Sequence, residues 1–406
     1  MKRIASLLTA CAMVCSMGLG LTGCGKSSES EEVTKKNIKI GLICLHDENS
    51  TYDLNFINAM EKAKEDLGLS DDQVIIKSNI PETNECKEAA ADLVDRGCNI
   101  IFADSFGHEP YVLEVAKDNP DVEFCHATGT MAHTENTGNF HNAFASIYEG
   151  RYLAGIAAGM KLDEMIDAGT ITAEQAVIGY VGAYTYAEVI SGYTSFYLGA
   201  KSVCPSATMK VQFTGSWYDE TAEKEAATTL IANDCVLISQ HADSMGAPTA
   251  CENAGVPNVS YNGSTVDSCP NTFIVSSRID WSPYYEYAVN CVLDGKEIDN
   301  DWVGTLSTDS VQLTAVNDKA AAAGTQAALD EASAKLKDGS VHVFDTSTFT
   351  VDGSALTSYK ADVDTDEDYT PDTEVISDGY FHESEYRSAP YFDVNIDGIT
   401  QLNTMF

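Results

Sequence analysis

The sequence has few basic residues, and this limits the partners it can bind. Its 406 residues contain 24 Lys and Arg against 62 Asp and Glu, which gives a formal net charge of −38. A surface of this charge repels nucleic-acid phosphates and anionic lipid head groups. We therefore expect no nucleic-acid partner and no polyphosphate ligand, whereas a neutral or cationic small molecule stays possible. A charge that serves solubility alone explains the composition equally well.

Beyond its first 21 residues the chain has no apolar run long enough to span a bilayer. At the start, two basic residues precede an apolar stretch from Ile4 to Leu21, and Gly23 and Cys24 follow at once. This order is typical of a secretory signal whose cleavage leaves a cysteine that accepts diacylglycerol. We expect a lipoprotein signal peptide over residues 1–23 and lipidation of Cys24. An ordinary secretory peptide with an incidental cysteine is the alternative.

The segment after the expected lipid site contains no apolar cluster. Residues 24–37 are rich in Ser, Glu and Lys, a composition too hydrophilic to pack. This indicates a flexible tether between the membrane and a folded domain. We therefore expect the protein to be attached to the cell membrane and to face outside the cytoplasm.

Cysteine pairs with metal-ligand spacing are also missing. Of the twelve cysteines, three lie within the first 24 residues, and the remaining nine include no C-x-x-C pair. An odd number of scattered cysteines argues against a zinc site and against a full disulfide framework. Several lie in apolar strand-like runs, as Cys98 and Cys235 do. We expect buried free thiols.

The motifs of several enzyme and cofactor classes are absent. There is no G-x-S-x-G elbow and no H-E-x-x-H, and the one G-x-G-x-x-G spacing, at residues 18–23, falls inside the signal. Residues 393–398 resemble the first half of a calcium loop, but the twelfth position, Thr404, lacks the bidentate carboxylate. We expect no cofactor and no metal ion, and leave a weak calcium site at 393–398 as the alternative to a plain acidic turn.

From Ile38 onward, short apolar runs alternate with amphipathic stretches of helical period. The first helix places Phe56 and Leu67 on one face and is expected to end at Gly68. Successive β-α-β winding predicts parallel sheets with helices on both faces. A second series of the same kind begins after Asn139. About 370 residues remain after cleavage of the signal, which is more than one hydrophobic core usually contains, so two domains are expected. The fold class is therefore α/β, with two doubly wound lobes.

Ligands of open α/β sheets bind at the carboxyl ends of the strands. The loops that follow the predicted strands nearly all contain an aromatic ring or a carboxylate. These loops are 46–53, 104–106, 126–128, 184–188, 216–219, 240–244 and 261–262. Rings stack on flat heterocycles, while carboxylates and amides bind ring N–H and amine groups. The set predicts a purine-like ligand, although core packing or helix capping explains any single residue equally well.

The strongest enzyme candidate in the sequence is the run Gln240 to Ser244, at the end of a predicted strand. In this alternative, His241 and Asp243 would be the catalytic residues of an extracellular enzyme, for instance a nucleoside hydrolase. Since the sequence identifies no paired nucleophile and base, a polar binding loop is the favoured interpretation, and we expect no enzyme activity.

Four stretches resemble a known family. They are residues 115–124, residues 148–159, Trp217 to Asp219 with the following 223–227, and residues 240–244. Together they resemble the basic membrane protein family of substrate-binding lipoproteins, which includes the purine nucleoside receptors of ABC importers. The last stretch is similar to the branch that takes up purine bases. The resemblance runs from about Ile38 to the C-terminus.

The resemblance implies a type I periplasmic-binding-protein fold, with two lobes joined by three crossing hinge segments. We expect residues 38–138 and 277–306 in the N-terminal lobe, and residues 139–276 and 307–406 in the C-terminal lobe. It also implies a monomeric receptor that captures a purine nucleoside or nucleobase and delivers it to ABC permease subunits. A sensor ectodomain that binds the same ligands is the other possibility.

The resemblance and the loop positions together give a set of ligand-binding residues. In the family an aromatic residue of the first loop stacks on the base, a role that would fall to Tyr52 or Phe56. The expected pocket consists of Tyr52, Asp53, Phe56, Phe106, Glu188, Trp217, Asp243 and Asn262. Many nucleoside-binding relatives end the Phe124 strand with an aspartate, whereas this chain has residues 126–128 as His-Ala-Thr. This departure favours a free base over a nucleoside.

Overall fold

The structure of the protein, a computed structural model, describes residues 32–135, 137–364, 368 and 370–404. The expected signal peptide and the lipidation site Cys24 lie outside the described residues. Within the described ranges, no helix has both the length and the apolar character needed to cross a membrane.

The strands are numbered here in chain order. They are β1 Ile40–Ile43, β2 Val74–Lys77, β3 Ile100–Ala103, β4 Glu123–Ala127, β5 Phe140–Ala145, β6 Val177–Gly182, β7 Thr208–Phe213, β8 Leu237–His241, β9 Asn258–Tyr261, β10 Phe273–Ile279, β11 Asp301–Gly304, β12 Val311–Leu313, β13 Lys360–Ala361, β14 Thr373–Glu374, β15 Ile376–Ser377, β16 Tyr380–Phe381 and β17 Ile399–Gln401.

The helices are numbered in the same way. They are α1 Thr51–Leu67, α2 Asn84–Asp95, α3 Glu109–Asp118, α4 Met131–Thr134, α5 Ile147–Asp167, α6 Ala187–Val203, α7 Glu220–Ala232, α8 Gly246–Ala254, α9 Ser282–Asp294 and α10 Thr325–Lys337. Short 3₁₀ turns occur at Asp71–Gln73, Phe106–His108 and Ala173–Gln175.

Two sheets form the centres of two lobes. The first sheet has the order β11-β5-β4-β3-β1-β2, with all neighbours parallel. The second has the order β12-β10-β9-β8-β6-β7-β17, and in it β12 is antiparallel to β10. The central strands are buried on both faces because helices cover the sheets. The prediction of two doubly wound parallel-sheet lobes is confirmed.

The chain crosses between the two sheets three times. The crossings follow β5, β10 and β11 in the chain, and hydrogen bonds join them to one another. The Ser146 N–H donates to the Gly304 carbonyl at 2.8 Å, and the Asp280 N–H donates to the Ser310 carbonyl at 2.7 Å. The hinge is therefore a hydrogen-bonded unit and not three independent linkers.

Strand pairing differs from the expected lobe boundaries at two positions. Strand β5 lies in the first sheet although the boundary was expected at residue 138, and β10 continues through residue 279 in the second sheet. The sequence of β5, Phe-His-Asn-Ala-Phe-Ala, does not have the apolar character of a buried strand. Its polar side chains can be buried because they form hydrogen bonds, His141 with Glu123 and Asn142 with Glu109, which offset the loss of hydration.

The first helix positions one side of the ligand cavity. Its N-cap is Ser50, whose hydroxyl accepts a hydrogen bond from the Asp53 N–H. It ends at Gly68, which has a φ of 68° in the left-handed region, as the sequence predicted. The nine cysteines of the described residues are all buried and unpaired, which confirms the prediction of free thiols.

Candidate functional site

The carboxyl ends of strands from both sheets surround one cavity. It holds about 370 Å³ of space free of protein atoms, part of it open to solvent. Its lining residues all end a strand, follow one, or begin a helix. They are Leu45, His46, Tyr52, Asp53, Ser105, Phe106, Thr128, Glu188, Trp217, His241, Asp243 and Tyr261.

Six of the eight residues expected in the pocket line this cavity. They are Tyr52, Asp53, Phe106, Glu188, Trp217 and Asp243. Phe56 does not line it: its ring is 2% exposed and stacks on Trp281, with centroids 4.4 Å apart. Phe56 is therefore a core residue, and of the two rings expected to stack on a ligand only Tyr52 faces the cavity.

Asn262 lies directly behind the cavity wall. Its side-chain amide donates to the Asp243 carboxylate at 3.1 Å, and its carbonyl accepts from the Asn55 amide at 2.9 Å. Its backbone has a φ of 64°, a left-handed conformation that asparagine tolerates better than most residues. Asn262 thus orients Asp243 and joins the lobes.

Tyr52 is fixed at both ends of its side chain. The hydroxyl donates to the Asp104 carbonyl at 2.8 Å, and the ring contacts Phe56 with centroids 4.9 Å apart. A ring that is held in this way loses little conformational entropy when a flat ligand stacks on it.

The opposite lobe contributes a group of rings around the cavity mouth. Trp217 meets Tyr184 edge to face at 5.1 Å between centroids, and Tyr186 lies 6.0 Å from Trp217. Tyr186 also contacts Phe106 of the first lobe at 5.5 Å. Rings from both lobes therefore close the entrance together.

Hydrogen bonds between the lobes show that the cleft is closed. Both the N–H and the hydroxyl of Thr51 donate to the Asp243 carbonyl, at 3.0 and 3.2 Å. The bond from Asn55 to Asn262 adds a second link nearer the hinge. The N-terminal turn of α1 is therefore bound to the loops after β8 and β9.

Two carboxyl groups of the first lobe lie side by side, those of Asp53 and Asp104, and Asp53 lines the cavity. Atoms of Cys44, Asp53 and Asp104 that could bind a metal ion lie within 4.8 Å of one another. Burial would raise the pKa of Asp53, but hydrogen bonds from His46 and Ser50 hold it below its ordinary value. Burial and the neighbouring Asp53 raise the pKa of Asp104 well above its ordinary value. The raised pKa of Asp104 favours its neutral form, which lessens the repulsion between the two carboxyl groups.

The second lobe has its own pair of buried acids. Burial, and then the negative charge of Glu223, raise the pKa of Asp243 well above its ordinary value. The Glu223 carboxylate accepts from the N–H groups of Asp219 and Ser244. It thereby ties together the two loops that present Trp217 and Asp243.

A comparison with known proteins identifies the family. Residues 42–343 match the profile of the family described as ABC transporter substrate-binding protein PnrA-like. The chain belongs to this family. The description names substrate-binding proteins of ABC transporters, which as a family are not enzymes. The family membership expected from the resemblance is confirmed.

Curated relatives carry two different ligand names. A putative ABC transporter glucose-binding protein of Haloferax volcanii is 36% identical over 207 residues, 51% of this chain and 49% of the relative. A purine-binding protein of Brucella abortus is 32% identical over 227 residues, 56% of this chain and 61% of the relative. The matched part therefore spans about half to three fifths of these relatives.

Solved structures of binding proteins share the fold. An ABC transporter solute-binding protein from Conexibacter woesei covers 75% of this chain and 98% of its own, with a TM-score of 0.61 at 20% identity. One from Aeropyrum pernix covers 76% and 93%, with a TM-score of 0.63 at 15% identity. At these identities the likeness concerns the fold alone. It agrees with the periplasmic-binding-protein architecture of the two lobes.

The contacts of His241 fit this family's non-enzymatic role. Its Nε2 lies 3.3 Å from a Glu188 carboxylate oxygen, whereas the Asp243 carboxylate bonds to Asn262. Burial lowers the pKa of His241, which favours the neutral ring. His241 and Asp243 therefore do not form the hydrogen-bonded pair that a hydrolase would need.

Several residues that line the cavity are not among the eight ligand-binding residues expected from the sequence. Of these, Thr128, His241 and Tyr261 supply polar groups, and His46 and Ser105 complete the first-lobe side. All five lie in the post-strand loops that the pattern marked as functional. The alternation of strands and helices in the sequence identifies these loops, but it does not show which side chain of each loop faces the cavity.

The run at residues 393–398 is held by protein contacts. Asp393 accepts from the Tyr359 hydroxyl, Asn395 accepts from the Gln401 amide at 2.7 Å, and Asp397 accepts from the Gly353 N–H at 2.9 Å. Their oxygens thus bond to three separate parts of the chain. A plain acidic turn explains the run.

The Glu223 carboxyl gives this binding protein a pH-dependent stability. Burial raises the pKa of Glu223 from 4.5 to about 7. Between these values the unfolded chain binds fewer protons than the folded one, so the free energy of unfolding falls as pH rises, by about 3 kcal/mol at most. In Glu223→Gln this contribution should be absent, and unfolding in urea at pH 5 and pH 8 measures the difference.

The matched control is Glu225→Gln, on the exposed face of the same helix. It should keep the wild-type difference between the two pH values. An unchanged pH dependence in Glu223→Gln would contradict the assignment.

Proposed function

We propose that this substrate-binding protein captures a purine base or nucleoside, with the base favoured, in the cavity between its lobes. Tyr52 and Trp217 supply the rings that stack on the heterocycle. Glu188 and Asp243 bind its N–H and amine groups. The observation that carries the proposal is this combination of rings and carboxyl groups around one cavity between lobes that hydrogen bonds hold closed.

Charge supports an uncharged or cationic heterocycle. None of the described residues that line the cavity is Lys or Arg. A ligand with a phosphate or carboxylate would enter without a cation to pair with, and burying such a charge is costly. Stacking and neutral hydrogen bonds carry no such cost for a purine.

The region around Thr128 supports a base over a nucleoside. The expected aspartate of nucleoside-binding relatives is replaced here, and the Thr128 hydroxyl bonds to the neighbouring Ala127 carbonyl. A ribose would therefore lack a carboxylate partner at this point.

Titration calorimetry with adenine, adenosine, inosine, guanosine and glucose tests the proposal. Glucose is included because the Haloferax relative carries that name, whereas the Brucella relative is named for purine. We expect binding of a purine, tighter for the base than for its nucleoside, and no heat with glucose. Binding of glucose without any purine would overturn the proposal.

Ligand binding is proposed to stabilise the closed form of the lobes. A ligand shifts this equilibrium only by its greater affinity for the closed state. Tyr52 and Trp217 stand on different lobes, so a ligand between them gains both contacts only when the cleft is shut. The closed surface is what ABC permease subunits would recognise, and the binding protein itself is expected to be a monomer.

The lipid anchor is a further part of the proposal. Its support is the signal-like start of the chain and the Gly23-Cys24 junction. Growth with radiolabelled palmitate should label the wild-type protein and not Cys24→Ser. Equal labelling, or labelling of neither, would contradict lipidation at Cys24.

A further inference from the structure

Tyr261 differs from the other tyrosine that lines the cavity. Both are largely enclosed, but the Tyr52 hydroxyl donates to the Asp104 carbonyl, whereas the Tyr261 hydroxyl has no hydrogen-bond partner in the described part of the chain. Tyr261 is 2% exposed. A buried hydroxyl without a partner is costly, and one on the wall of a cavity can gain a partner from a bound ligand.

The Tyr261 ring is held in one position by its neighbours. His241 packs against it with ring centroids 4.3 Å apart, and the Arg151 guanidinium carbon lies 5.1 Å from its centroid on the lobe interior side. Arg151 is itself fixed by hydrogen bonds to the Tyr180 and Ser239 hydroxyls, at 3.0 and 2.8 Å. The hydroxyl therefore has little freedom to turn toward another protein group.

The surroundings of the hydroxyl determine what it can bind. The Glu188 and Asp243 carboxyl groups both interact electrostatically with Tyr261, and all three residues line the cavity. The site thus presents an O–H donor beside carboxyl acceptors. Purine edges place a ring nitrogen that accepts beside an N–H or amine that donates, which is the complementary arrangement.

We propose that the Tyr261 hydroxyl donates the hydrogen bond that fixes one ring nitrogen of the bound purine base. This inference rests on the proposed function and adds the residue that sets the orientation of the base. Stacking by Tyr52 holds any flat ring, whereas this bond selects a ring with an acceptor nitrogen at one position. Tyr261 is in this sense a specificity-determining residue.

The test compares wild type and Tyr261→Phe with four ligands: adenine, 1-deazaadenine, 3-deazaadenine and 7-deazaadenine. Each analogue replaces one acceptor nitrogen with C–H. For adenine and two of the analogues, Tyr261→Phe should bind about tenfold or more weakly than wild type. For the third, which lacks the contacted nitrogen, the two proteins should bind equally, because the bond is absent in both.

Tyr285→Phe is the matched control. Its hydroxyl is also buried and without a partner among the described residues, but it does not line the cavity. It should bind all four ligands as wild type does. The unliganded Tyr261→Phe protein should melt no lower than wild type, since the change removes a hydroxyl that has no protein partner.

Two outcomes overturn the inference while purine binding stands. One is equal affinity of wild type and Tyr261→Phe for adenine; the other is the same loss of affinity for all four ligands. A wild-type protein that binds no purine at all would overturn the proposed function, and the role of Tyr261 with it. The first two results are therefore distinguishable from the third.

Discussion

Replacing both Tyr52 and Trp217 with alanine is expected to weaken purine binding by about 30-fold to more than about 10,000-fold. Stacking of a base on an aromatic ring contributes about 1–3 kcal/mol for each ring, so the two rings together contribute about 2–6 kcal/mol. Tyr52 belongs to the first lobe and Trp217 to the second. The double variant therefore removes the stacking partner on each side of the cleft.

Calorimetry with adenine measures this loss, with both single variants alongside the double one. Each single variant should bind about 5-fold to 150-fold more weakly than wild type. The control is Tyr386→Ala, which removes a ring that is 43% exposed and lies outside the cavity, and it should leave affinity unchanged. A double variant with wild-type affinity would show that the ligand does not stack on these rings.

The second large effect concerns the contact between α5 and α6, which supports the cavity from within the second lobe. A Cβ atom on Gly155 would lie 2.0 Å from the Phe196 carbonyl oxygen, and one on Gly199 would lie 2.0 Å from the Tyr152 carbonyl oxygen. The helices therefore pack backbone to backbone. Gly155→Val should lower the free energy of unfolding by about 3 kcal/mol or more, because the helices must separate.

Urea unfolding followed by circular dichroism measures this change. Gly138→Ala is the control, because a Cβ atom there meets nothing within 4 Å and the residue has an ordinary φ. It should leave the free energy of unfolding within about 0.5 kcal/mol of wild type. Wild-type stability of Gly155→Val would mean that the helices do not approach as closely as described.

The stretch that most resembled the family, residues 148–159, now has a physical explanation. Gly155 and Gly159 allow the close approach of α6, and Arg151 reaches into the lobe interior beneath the cavity wall. The sequence alone shows that most residues of this stretch are apolar or small. It could not predict the backbone contact, since the partner helix begins about 30 residues later.

Tyr52 and Phe56 show where prediction of the site from sequence ends. They are four residues apart on α1 and share one face of the helix, so periodicity gives them the same environment. The two rings differ in environment only because of where the helix lies against the sheet. Tyr52, in the first turn, lines the cavity, while Phe56, one turn later, packs on Trp281 in the core. Local sequence does not contain that information.

Thr128 and Tyr261 illustrate the same limit in the loops. Each lies at the carboxyl end of a strand, where the side-chain direction alternates with every residue. A boundary error of one residue therefore exchanges inward and outward positions. Thr128 also has a φ of 67°, which β-branched residues rarely adopt, and no turn signal in the sequence predicts it.

A crystal structure of the protein grown with adenine tests the central claim most directly. We predict electron density for one flat base in the cavity, stacked on the Tyr52 ring with Trp217 on the other side and the Tyr261 hydroxyl within hydrogen-bond distance of a ring nitrogen. An empty cavity at saturating adenine, or a base bound elsewhere without contact to Tyr52 and Trp217, would contradict the account.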